Sequence, residues 1–150
     1  MENNFLLINT IPQHGIEKEQ AAWHEAMHAA TGLLLDTDTL EATIFLDPYH
    51  DGLWVGKVTI GYYITPPRWY WLAFALVPEM LPITVGWSEG DKATAQKLAR
   101  PEDAPIAVKW LEENIMWLTA SAATIADELL DRHSWNYIKN PPYLATEAVK

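Results

Sequence analysis

AAWHEAMHAATG, residues 21–32, sets two histidines four positions apart in a run of alanines, with a glutamate directly after the first. Alanine is the strongest helix former, so the stretch predicts a helix. Four residues advance a helix by a little over one turn, which puts His24 and His28 on one face, roughly 40° apart, where they can grip a single ion. Glu25 lies about 100° further round, beside that ion. Zinc hydrolysis calls for about three protein ligands and one position left for water. HExxH supplies two of the three, His24 and His28, and Glu25 is then the general base that takes a proton from the attacking water and later passes it to the leaving amine. The competing reading is structural: two polar residues on a half-buried helix and a solvated surface charge.

A chain of 150 residues that is 49% hydrophobic has the size of one globular domain, residues 1–150, and can bury a core. Ten basic residues against twenty acidic ones give a net charge of −10, the wrong sign for a phosphate-backbone binder, so nucleic acid is not an expected partner. The absence of cysteine removes thiolate zinc sites and cysteine nucleophiles together and leaves His, Asp and Glu as the metal ligands. MENNFLLINTIPQHG has no basic segment and only a short apolar run, unlike a secretory signal, and the expected location is the cytoplasm. WYWLAFALVPEMLPITVGW, residues 69–87, is the most membrane-like segment. Glu79 at its centre, with Pro78 and Pro82, argues for a buried helix and a loop over a membrane span.

The first helix is expected over about residues 16–35, with Ile16, Trp23, Met27, Ala30 and Leu34 at helical spacing. EATIFLDPYHDGLWVGKVTIGYY reads as β-structure on both sides of a DPYHDG turn. A second helix is expected over roughly 68–77, and a third from near Ser88 to before Pro101. From Pro105 to His133 the positions Val108, Leu111, Ile115, Leu118, Ala122, Ile125 and Leu129 form one core face of a long last helix.

HEAMHAATG resembles the HEAGHA signature of the FtsH family of ATP-dependent zinc metalloproteases, including the alanines beside the second histidine and the glycine, Gly32, four residues after it. The metzincin pattern is a poorer match, because Thr31 and Leu34 stand where it has a glycine and a third histidine. A mid-helix glycine costs about 1 kcal/mol relative to alanine, so Gly32 is expected to let another backbone pack closely. GWSEGDKATAQKLA, residues 86–99, is similar to the segment that carries the third ligand in that family, which implies Asp91 as that ligand. Ser88 to Asp91 also spell a capping box, in which Asp91 merely satisfies a helix start. Glu79 is the second candidate, since a carboxylate in an apolar run needs a partner. Asp47, His50 and His133 come after it, with His50 read as a turn residue, His133 as a helix-end residue on the dipole, and His14 as a helix flank.

The tail WLEENIMWLTASAATIADELLDRHSWNYIKN also looks like the last helical region of FtsH-type peptidase domains, ending in a short turn. Two features depart from the family. ALVPEM, residues 75–80, replaces its AGxxAE segment, and its ATPase module and membrane anchors have no counterpart in these residues. The resemblance implies an α+β, mainly helical, zincin-like domain with a small sheet, holding Zn2+ through His24, His28 and Asp91 and cutting unfolded or short polypeptides. In such folds an edge strand near the motif holds the peptide, a role open to TIFL or WVGKVTIGYY. Arg68, Trp69, Tyr70 and Trp71 are read as a peptide pocket, core or subunit interface. A homo-oligomer and a separate AAA ATPase stand as further partners, and a catalytically inactive interaction module as the alternative function.

Overall fold

The computed structural model describes residues 4–9, 16–34, 39–62, 65–80, 93, 95, 97 and 99–138, and of residues 4–9 the backbone alone. The chain forms β1 (Asn4–Asn9), α1 (Lys18–Leu34), β2 (Thr39–Leu46), β3 (Trp54–Tyr62), α2 (Arg68–Leu76) and α3 (Ala104–Arg132), closing with β4 (Ser134–Ile138). Three-residue-period turns, Val77–Met80 and Pro101–Asp103, follow α2 and precede α3. Ala93, Ala95 and Lys97 are helical, inside the expected third helix. This is the expected α+β, mainly helical class with a small antiparallel sheet.

The sheet has strand order β1-β3-β2-β4, each neighbour antiparallel. The β2–β3 hairpin turns at the predicted DPYHDG signal, where Gly52 takes φ +77 and the Tyr49 and His50 groups bond to the Asp47 carboxylate. Across the pair, Leu40 faces Ile60, Ala42 faces Val58 and Ile44 faces Gly56, all buried. That inner face receives α1, and α3 and α2 pack on the far side of it. A helix enclosed in this way must be thin, and Ala21, Ala22, Ala26, Ala29 and Ala30 make it so.

The flanking strands are additions to the sequence reading. β1 comes from the apolar run at the N-terminus, and β4 replaces the short terminal turn expected after the last helix. His133 creates β4: its left-handed backbone, φ 66, closes α3 with an N–H bond to the Leu129 carbonyl and reverses the chain onto β2. It is thus the cap itself, with its ring edge-on to Trp54. On α3, Leu111, Leu118, Ala122, Ile125 and Leu129 are buried as expected, whereas Val108 is exposed and Ala107 takes its place. Tyr70 and Trp71 belong to the core. Among the described residues, no helix is long and apolar enough to cross a membrane.

Candidate functional site

The start of α1 is fixed by a reciprocal backbone pair between Ile16 and Trp54, 2.9 and 2.6 Å, and by Lys18 lying over the Trp54 ring at 4.9 Å. From that anchor α1 crosses the inner face of the sheet. His24, Glu25 and His28 fall at its middle, with 2, 1 and 0% of their surfaces exposed. The expected helix face is therefore real, but Glu25 is no solvated surface charge. The rings of His24 and His28 meet edge to face with centroids 5.0 Å apart.

His28 is held from α2. Its Nδ1 lies 2.7 Å from the Phe74 carbonyl oxygen, and its ring stacks on the Phe74 ring at 5.1 Å. A carbonyl only accepts, so Nδ1 carries the proton and donates it, and in the neutral ring the lone pair is on Nε2. The carbonyl is available because the residue four places on, Pro78, has no N–H to occupy it. One turn away, the Tyr70 hydroxyl donates to the Thr31 carbonyl, and burial pushes that phenol well above its usual 10.0. Tyr70 with Thr31 and Phe74 with His28 tie α2 antiparallel along α1.

Glu25 points the other way, towards the sheet. A Cβ at Gly56 would lie 2.9 Å from the Glu25 Cδ and 2.8 Å from the Thr43 carbonyl oxygen, so the glutamate occupies the space that a side chain on β3 would fill. Sequence reasoning missed Gly56. Its signal was a glycine inside a strand, which marks a close approach by another group. Glu25 Oε1 stands 3.9 Å from His24 Nε2, beyond hydrogen-bond range but well within Coulombic reach. Gly32 does serve close packing, though against a side chain, Leu40, rather than another backbone.

The other named residues are scattered. Glu79 is exposed on the turn after α2, so the argument that burial obliges it to find a partner fails. Asp47 and His50 bond to each other in the hairpin turn, and His133 sits at the end of α3. Asp91 and His14 lie outside the described residues. Among the described residues, no group of three or more His, Asp or Glu side chains is placed to hold a metal. The strands offered as a peptide edge, β2 and β3, are the inner pair in the strand order, but among the described residues β4 pairs only with Thr39–Thr43 and β1 only with Lys57–Tyr62, leaving Phe45–Leu46 of TIFL beyond β4 and Val55–Gly56 beyond β1. Arg68 engages Asp103, and Trp69 packs on Trp110 at 5.8 Å.

The donor chemistry fits zinc as far as it goes. Two imidazoles lie edge to face, and one has a ring nitrogen fixed by a backbone carbonyl, the usual second partner of a metal-bound histidine. Comparison with protein-family models, curated proteins and solved structures found no match, so the functional reading rests on these residues.

Proposed function

We propose that the chain is a zinc-dependent metallopeptidase with a zincin-like fold, related to the FtsH peptidase domain and acting in the cytoplasm on unfolded or short polypeptides. The supporting observation is the pairing of His24 with a His28 whose Nδ1 is committed to Phe74, which directs His28 Nε2 to an acceptor role. His24 and His28 would hold the ion, with Asp91 as the third ligand. Zinc, when bound, polarises the scissile carbonyl and acidifies water. Glu25 accepts the proton released in the attack and returns it to the leaving nitrogen, and Gly56 gives it the room to sit beside the histidines. No GxxxxGK[ST] loop occurs among these 150 residues, so they do not themselves supply the work against a folded substrate, about 5–15 kcal/mol, and an AAA ATPase is the proposed source.

Protein purified without chelator should carry about one zinc per chain and slowly degrade casein while sparing stably folded proteins. The His24→Ala, His28→Ala double variant should lose both metal and activity. Stoichiometric zinc in that variant would overturn the proposal. A second reading draws on the near-complete burial of the three side chains: a silent domain that retains the motif as part of its core and acts as an interaction module. Zinc-loaded protein inert towards every unfolded substrate would favour it.

A further inference from the structure

α3 carries a second pattern on the side away from α1. Ile106, Lys109, Glu113, Met116 and Ala120 recur at steps of three and four, with Trp117 beside Met116, a continuous stripe along about four turns. Ile106 and Trp117 are exposed, and Met116 is 86% exposed, the barest large apolar side chain after Tyr49 among the described residues. Around Ile106 the surface is concave: Trp69, Pro105, Ile106, Lys109, Trp110 and Glu113 line a groove of about 490 Å³. A protruding methionine and an aromatic-floored groove thus share one helix, about 15 Å apart along its axis.

We infer that this face binds a second copy of the chain, α3 against α3 in antiparallel sense. A two-fold axis level with Leu111 brings Met116 of each copy opposite Ile106 of the other, at the groove. The same axis brings Lys109 of each copy opposite Glu113 of the other. Within one chain these two charges already face each other at 4.0 Å, so pairing the helices builds a four-charge network across the axis. The apolar and the charged pairs have one common centre, the self-complementarity that a two-fold interface requires. A partner of another kind would need only one of the two matches. On a chain of net charge −10, a stripe that carries one charge of each sign adds no net repulsion of its own. A contact confined to one helix face is expected to give a reversible dimer.

Sedimentation equilibrium of the full chain up to about 100 µM should show a monomer–dimer exchange. Lys109→Glu and Glu113→Lys, both at exposed positions, each set like charges opposite one another and should weaken association about tenfold or more. The double reversal should restore it. An equimolar mixture of the two single variants should associate as tightly as the parent, because every facing pair is again opposite in sign. A parent that stays monomeric, single reversals without effect, or a mixture that fails to recover would each overturn the interface.

Discussion

Asp103, at the foot of α3, and Glu25, in the middle of α1, are both carboxylates withdrawn from water, 4% and 1% exposed. A buried carboxylate is costly unless its surroundings compensate, and the chain compensates each differently. Asp103 is surrounded by donors. Arg68 grips it at 2.7 and 3.1 Å, the Arg100 N–H adds a third bond at 2.8 Å, and the Arg68 hydrogen bond chiefly holds its carboxyl below the usual 3.8. Glu25 lies over a strand glycine, its Cδ 2.9 Å from where a Cβ on Gly56 would be, with His24 Nε2 3.9 Å from its Oε1. The first arrangement fastens α2 to α3 and has every reason to keep its charge. The second sets a carboxylate beside the His24 imidazole, the placement that the proposed proton transfer would require.

The strongest way to separate the two is to neutralise each while keeping its shape. Glu25→Gln should lower peptide turnover by roughly 10²–10⁴-fold, the range of general acid–base catalysis, while zinc content and melting temperature change little. Zinc retention with unchanged turnover would remove Glu25 from the chemistry. A loss of stability with turnover per folded molecule unchanged would make Glu25 a structural carboxylate like Asp103.

Gly56→Ala probes the space itself. The added methyl collides with the glutamate and with the Thr43 carbonyl, and overpacking of this kind costs about 1–3 kcal/mol. Displacing the base from its position should cut turnover about tenfold or more with zinc still bound. Gly32→Ala is the control. It presses only on Leu40, so it should lower stability and leave turnover per folded molecule unchanged. If the two variants behave alike, Gly56 is a packing glycine and nothing more.

How far the sequence reveals this molecule depends on how many sides of each element are covered. α3 has one buried face, and its three-and-four periodicity was readable from Leu111 to Leu129. Val108 misled because it borders that face, where Ala107, small and easily overlooked, is the residue inside. α1 is enclosed by the sheet and by two helices, so its burial has no period; what showed through was the HExxH spacing. The hairpin was legible because Asp47 and Gly52 are turn residues with mechanical reasons to be there. β1 and β4 were not, since a short apolar run and a five-residue tail acquire strand character only from the partners they find. At the site, Glu25, His24 and His28 are visible as a motif, but the two features beside them carry no side-chain signature. Pro78 frees the Phe74 carbonyl four residues before it, and Gly56 leaves a gap in β3. Each is an absence, of an N–H and of a Cβ, and side-chain motifs are poor at displaying absences.

The Arg68–Asp103 clasp gives the smallest effect and the sharpest sign. Because the folded carboxyl titrates below its ordinary value, the unfolded chain takes up the proton first as the pH falls, and stability drops with it. The contribution is fully present above the ordinary value near 3.8 and is lost as pH falls through the lower folded one. Arg68, raised above its ordinary value by the same hydrogen bond, stays charged throughout and adds no slope in this range. Asp103→Asn should therefore lower the melting temperature by a few degrees at neutral pH and flatten the fall in stability below about pH 4, converging on the parent in acid. Arg68 is partly exposed, so solvent screens the pair and limits the loss. Zinc content and turnover at neutral pH should not move, because the clasp lies at the far end of α2 from Phe74. A variant with parental stability at neutral pH and a parental acid limb would show that Asp103, for all its bonds, contributes no more than a surface pair.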